Sequence, residues 1–297
     1  MNPEQSRPVL FGEVLFDRFP DGSEVLGGAP FNVAWHLRGF GEDPLFISRV
    51  GEDDAGRQVR LAMAAWGMDS AGLQTDTEHP TGAVRIELVA GEPRFEILPD
   101  QAYDFIYLAD IPDLVRPAFL YHGSLALRRA ESRTTLETLV RHHAMPIFLD
   151  VNLRPPWWTA GDVIRWAGQA SWVKLNEDEL ERLAPGEDDM ERRARQFLAQ
   201  HGLDYLVLTR GREGALALSA KGEREAIKPV AATRVVDTVG AGDAFASVFL
   251  LGQLRGWSLA TSLARAQAFA SAIVGVRGAT VSARDFYQGF LDAWTEP

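Results

Sequence analysis

The sequence predicts an α/β fold with a mainly parallel sheet and helices on both faces. Two patterns carry this expectation. Short β-rich runs alternate with helical stretches of about three turns, and polar clusters follow several of the strand ends, where open α/β sheets present their ligand sites. The expected strands are Val9–Phe16, Pro44–Val50, Pro117–Tyr121, Ile147–Val151, Trp172–Leu175 and Tyr205–Thr209. Between them lie helical segments over Phe31–Phe40, Ala55–Trp66, Ser132–His143, Glu177–Leu183 and Met190–His201. One stretch breaks the rhythm. The apolar runs Ala83–Val89 and Arg94–Leu98 flank Gly91-Glu92-Pro93, which reads as an inserted hairpin and a candidate lid. Two further strands, Gly214–Ser219 and Arg224–Pro229, precede three helical segments. No Ser/Gly-rich linker or repeat divides the chain, so residues 1–297 read as one domain with a lid drawn from about 14–30 and 80–106.

Composition narrows the function. The 297 residues carry 30 basic and 41 acidic side chains, a net charge of −11, and three of the basic residues are lysines: Lys174, Lys221 and Lys228. An acidic balance without a basic stripe argues against nucleic acid and against a polybasic membrane anchor, and points to a small solute as partner. The chain has no cysteine, which excludes disulfides, thiolate-held zinc, iron–sulfur clusters and thiol nucleophiles. The N-terminus lacks the apolar core of a secretion signal, and no run approaches the 18 or so apolar residues of a membrane span. The expected location is the cytoplasm.

The strongest motif is Asp237-Thr-Val-Gly-Ala-Gly-Asp-Ala-Phe245. Gly240 and Gly242 leave backbone N–H groups uncovered at a helix start, an arrangement that receives an anion. Asp243 then falls in the first turn. A carboxylate there would repel a phosphate that was merely bound, but it suits accepting a proton from a hydroxyl that attacks the phosphate. The plainer reading is a tight turn with an acidic helix start. In Gly27-Gly-Ala-Pro-Phe-Asn-Val-Ala34, two glycines and an early proline open another helix N-terminus, with Asn32 in its first turn. Asp17 ends the strand before it. Asp and Asn together suit hydroxyl recognition, although Asp17 alone also fits an ordinary strand end. Alternation after the Ile147 strand puts Asp150, Asn152 and Arg154 on one side. Asn176 and Glu179 follow the next strand and read equally as a helix cap and its capping-box partner. Thr209-Arg-Gly-Arg-Glu-Gly214 adds a further glycine-bearing cluster. Walker, dinucleotide, zinc-protease and serine-hydrolase signatures are absent, and the six histidines are scattered.

The two glycine motifs, about 210 residues apart, resemble the paired signatures of the ribokinase-like (PfkB) carbohydrate kinases, and the resemblance spans essentially the whole chain. Gly12-Glu-Val-Leu-Phe-Asp17 and the Asp150-Val-Asn-Leu-Arg154 segment with its nearby Trp157 and Trp158 most resemble bacterial fructokinases. The resemblance implies a three-layer α/β/α fold with a small β lid. It implies an ATP-dependent kinase in which Asp243 is the base on the sugar's primary hydroxyl and the backbone N–H groups of Gly240, Ala241, Gly242 and Asp243 form an anion hole. Asp17, Gly28 and Asn32 would join Asp243 in binding the sugar. Asn176, Thr209, Gly211, Gly214 and Gly242 would lie on the nucleotide side, and Glu179 would hold Mg2+ through water. Asp237 and the Val239 carbonyl match a site for a monovalent cation such as K+, and Gln267 stands in the adenine region. The expected reaction is ATP with D-fructose giving fructose 6-phosphate. Alternatives are 2-keto-3-deoxygluconate, ribose or a nucleoside as acceptor, or a non-catalytic sugar-binding protein. Family lids often pair, so a homodimer through the lid is also implied. ATP fits a chain of charge −11 because glycine-exposed N–H groups with Mg2+ hold phosphate locally.

Overall fold

A computed structural model of the chain describes residues 6–89, 92–186, 188–229 and 235–295. Among these residues the large sheet has nine strands: β1 (Arg7–Phe11), β4 (Leu45–Gly51), β5 (Leu73–Asp76), β8 (Pro117–His122), β9 (Ile147–Asp150), β10 (Trp172–Asn176), β11 (Tyr205–Thr209), β12 (Ala215–Ser219) and β13 (Arg224–Ile227). Their order is β13-β12-β11-β10-β9-β8-β1-β4-β5. The strands from β11 to β5 run parallel, and β12 and β13 are antiparallel to their neighbours. A smaller sheet holds β2 (Leu15–Arg18), β3 (Glu24–Gly27), β6 (Gly82–Val89) and β7 (Glu92–Ile97) in the order β3-β2-β6-β7.

Both faces of the large sheet are apolar, as a buried parallel sheet requires. The pleat sends Leu10, Tyr121 and Phe148 into one core, and Val9, Phe11, Leu120 and Leu149 into the other. The first core is covered by α1 (Ala29–Gly39), α2 (Asp54–Trp66), α7 (Ala241–Arg255), α8 (Leu259–Ile273) and α9 (Arg284–Thr295). The second is covered by α3 (Ala130–His142), α4 (Ala160–Ala167), α5 (Glu177–Leu183) and α6 (Met190–His201). Among the described residues, no helix is long and apolar enough to cross a membrane.

The strand expected over Val9–Phe16 is two strands in different sheets. The chain leaves the large sheet at Gly12, whose φ is +146°, and where a Cβ would stand 2.6 Å from Pro30 Cγ. It then enters the smaller sheet as β2. The expected hairpin is β6 and β7, extended by β2 and β3 into four strands, while its turn at Gly91 lies outside the described residues, as do residues 1–5. Thr81, just before β6, donates from its N–H and hydroxyl to Asp53 at 2.9 and 2.6 Å. On the other flank, Arg128 donates to the Leu98 carbonyl at 2.7 Å and forms a buried pair with Asp104. Both ends of the β6–β7 segment are thus tied to the large unit.

His36 in α1 is fully buried among aromatic rings and links three elements. Its Nε2 lies 2.9 Å from the Ala279 carbonyl and its Nδ1 2.9 Å from the Tyr287 hydroxyl of α9. A carbonyl can only accept, so Nε2 carries the proton, and Nδ1 shares the single Tyr287 hydroxyl proton with the Val281 carbonyl, which lies 3.0 Å from the same oxygen. Burial pushes the imidazole down to about 4, which keeps it neutral.

Candidate active site

A cleft of about 550 Å3 lies between the strand ends of the large sheet and the smaller sheet. Asp17, Gly28, Asn32, Asp150, Asn152, Arg154, Asn176, Glu179, Thr209, Val239, Gly240, Gly242 and Asp243 all line it, so five segments distant in sequence meet there. Ala241, Asp237, Gly211 and Gly214 are not on its wall.

Asp243 sits in the first turn of α7, whose N-cap is Gly240 with φ +79°. That left-handed backbone favours glycine, and a Cβ at Gly240 would collide with Ala279. Among the described residues, no hydrogen bond uses the N–H of Gly242 or Asp243, which leaves these donors available at the positive end of a 15-residue helix. Asn32, in the first turn of α1, donates from Nδ2 to Asp243 Oδ2 at 2.8 Å. Burial pushes the Asp243 carboxyl up to about 6. The Asn32 hydrogen bond opposes the rise, the nearby Asp150 adds to it, and Lys174 and Arg154 oppose it. The result is a carboxylate that is mostly ionised at neutral pH yet basic enough to take a proton.

Beneath it lies a pair that the sequence did not reveal. Lys174 Nζ donates to both oxygens of Asp150 at 2.8 and 2.9 Å, and the Tyr121 hydroxyl donates to Oδ2 at 3.2 Å. Burial alone would lower the lysine, but Asp150 outweighs it and holds the ammonium charged. The adjacent strands β9 and β10 put Lys174 directly opposite Asp150. A lysine inside the apolar run Trp172–Leu175 was the available signal. Asn152 and Arg154 reach the cleft for a different reason than alternation, because β9 ends at Asp150 and Asn152 turns the chain with φ +40°.

Glu13 is the second functional candidate that sequence reasoning missed. It lies in the break between β1 and β2, lines the cleft and is 2% exposed. Burial pushes its carboxyl up to about 7; its own backbone N–H pulls it down and Asp243 pushes it further up. Asp17, on β2, is raised to about 6 by burial, with Arg154 opposing. Gly28 packs so closely under Glu13 that a Cβ there would lie 2.5 Å from the Glu13 carbonyl oxygen.

Asn176 and Glu179 form the expected capping box, with both reciprocal hydrogen bonds at 2.9 Å. Glu179 Oε1 also accepts from Leu153 N–H at 2.9 Å, tying the loop after β9 to α5. Asp237 accepts from the N–H groups of Val239 at 3.0 Å and Gly278 at 3.2 Å, which shapes the turn before α7. Gly214 is needed where the backbone passes β13, since a Cβ would collide with the Ile227 carbonyl. Gln267 donates to Ser271 within α8 at 3.2 Å.

The sequence pattern of the pfkB family carbohydrate kinases matches residues 5–285. The chain belongs to that family. This carbohydrate kinase is 32% identical to an aminoimidazole riboside kinase of Salmonella typhimurium over 91% of its own length and 89% of the other. It is equally 32% identical to a fructokinase of Klebsiella pneumoniae, over 82% and 83%. Its fold is ribokinase-like and superposes on the fructokinase of Vibrio cholerae O395, solved with fructose, ADP and calcium ion, with a TM-score of 0.85 and 26% identity over 97% and 99% of the two chains.

Proposed function

We propose that this carbohydrate kinase transfers the γ-phosphoryl group of ATP to the primary hydroxyl of D-fructose, giving fructose 6-phosphate and ADP. The observation that carries the reading is Asp243, held by Asn32 beside unused backbone N–H donors at the start of α7. The sugar oxygen forms its bond to the γ-phosphorus while the bond from that phosphorus to the β–γ bridging oxygen breaks. The hydroxyl proton passes to Asp243, and the N–H groups of Gly242 and Asp243 stabilise the charge spread over the transferred group. Asp17 and Asn32 orient the sugar, while Asn176 and Thr209 border the nucleotide side, with Gly211 and Gly214 shaping the segment beyond Thr209. The smaller sheet serves as a lid that excludes water as a competing acceptor. Its edge strand β7, with Phe95 exposed, is the surface we assign to a homodimer, which light scattering tests.

Among the described residues, no group of three or more His, Asp or Glu side chains is placed to hold a metal ion. Both Glu179 oxygens already accept a backbone N–H, a donor set that suits holding a Mg2+·ATP complex through water. When bound, the ion neutralises charge on the phosphates. Asp237 and the Val239 carbonyl are assigned to a monovalent cation, K+, beside the anion turn; rates in potassium against choline salts test this.

The deciding experiment is a coupled ADP-release assay over a sugar panel with wild type and Asp243→Asn. Turnover with fructose supports the reading, and the variant should lose on the order of 100-fold or more in kcat. Near-wild-type turnover by a folded variant overturns the base assignment. Aminoimidazole riboside belongs in the panel, because a kinase for that compound is as similar as the fructokinases. Turnover with it but not with fructose selects the second reading.

A further inference from the structure

Glu13 stands where the backbone passes from one sheet to the other, and it lines the cleft together with Asp243. Its Oε2 is buried and has no hydrogen-bond partner among the described residues. The same is true of Asn32 Oδ1, whose amide nitrogen is engaged with Asp243. Both orphan atoms are acceptors, so what the cleft lacks is donors. Buried polar atoms in folded proteins are satisfied by protein, water or ligand, and an acceptor left bare is unfavourable. Two buried donors near Glu13, Tyr103 Oη and Arg128 Nη1, sit beside each other without a well-formed hydrogen bond to any described residue, and neither residue lines the cleft. A sugar bound against Asp243 brings hydroxyl donors to the cleft side of Glu13.

We propose that Glu13 is a specificity-determining residue whose Oε2 accepts a hydrogen bond from a sugar hydroxyl other than the one phosphorylated. The inference rests on the sugar-kinase reading above and deepens it. The preferred substrate is polyhydroxylated, and removing that one hydroxyl leaves the carboxylate oxygen buried without a donor. Asn32 Oδ1 supplies a second acceptor to the same ligand.

The test uses the full chain as wild type, Glu13→Ala and Glu13→Gln. Calorimetric affinity and kcat/KM are measured for fructose and for fructose analogues each lacking a single hydroxyl. At pH 8, above the value of about 7 to which burial raises Glu13, wild type should discriminate against one analogue by about 10- to 100-fold, the range for a hydrogen bond to a charged acceptor. Glu13→Ala should bring fructose down to that analogue's level, and Glu13→Gln, which keeps a neutral acceptor, should retain part of the discrimination. An equal loss on every sugar overturns the proposal and assigns Oε2 to a water shared with Tyr103 or Arg128. If Glu13→Ala fails to fold, Glu13→Gln decides, and discrimination equal to wild type refutes the proposal. A wild type that neither binds nor phosphorylates fructose overturns the fructokinase reading instead. The same comparison with aminoimidazole riboside and its single-deoxy analogues then judges Glu13, and equal loss there, or no binding of either series, overturns it.

Discussion

Asn32→Ala should move the acid limb of the pH–rate profile upward. In the wild type, Asn32 Nδ2 donates to Asp243 Oδ2 at 2.8 Å, and that bond offsets part of the rise that burial imposes on the carboxyl, leaving it at about 6. A hydrogen bond to a charged acceptor is worth about 1.5–3 kcal/mol, and one pH unit corresponds to 1.36 kcal/mol. Losing it should therefore carry the limb from about 6 to between about 7 and 8. The base must be ionised to act, so the variant loses activity at neutral pH and regains it in mild alkali. The assay is kcat/KM for the sugar between pH 5 and 9 by coupled ADP release. Because Glu13 titrates nearby, the comparison belongs in a Glu13→Gln background, which removes the second proton. Asn32 also lines the cleft in which the proposed function puts the sugar, so a uniform fall in kcat/KM is expected in addition. An acid limb that stays near 6 while the rate falls would refute the argument, because Asn32 would then act on the sugar and not on Asp243's proton.

Gly240→Ala should lower stability by roughly 2–4 kcal/mol, since its left-handed backbone and the collision with Ala279 both penalise a side chain. It should lower kcat more than it changes the sugar KM; a variant with unchanged kcat would separate the turn from phosphoryl transfer. Lys174→Met strands Asp150 as a buried unpaired charge at a cost of about 3–5 kcal/mol, a fall of roughly 10 °C in Tm, and adding Asp150→Leu should restore most of it. Failure of the second substitution to rescue would mean the pair is not an isolated charge couple. Glu13 contributes stability that is complete below its unfolded value near 4.5 and is lost as pH rises through its folded value of about 7, a difference of about 3 kcal/mol at 1.36 kcal/mol per pH unit. The Tm of Glu13→Gln relative to wild type should accordingly rise between pH 5 and pH 8. A pH-independent difference would show that the carboxyl is not perturbed.

The parallel sheet was legible because its strands are long apolar runs, and Asp243 was legible because a glycine pair and a carboxylate at fixed spacing are local. The break at Gly12 was not, since Val9–Phe16 is apolar through the point where the chain changes sheets, and only contact with Pro30 makes that glycine special. Strands β3 and β5 escaped notice because each has four residues and carries charge at an end, and α4 because eight residues show too little periodicity. Lys174 and Asp150 lie 24 residues apart and meet only through strand register. Glu13 looked like an ordinary strand residue. Its character comes from burial and from Asp243, which is 230 residues away in sequence. Residue-to-residue chemistry across the sheet is what a linear reading cannot supply.

The histidine link between α1, Ala279 and Tyr287 couples the last helix to the turn that carries Asp243. Ala279 is the surface against which Gly240 is seated, and its carbonyl is held by His36, which in turn leans on the Tyr287 hydroxyl. Removing α9 would thus loosen the turn that precedes Asp243 without touching a residue of the cleft. A truncated or C-terminally fused protein that stays soluble but loses activity would be damaged at its active site from the far end of the chain, so the terminus is a poor place for a tag that pulls on α9.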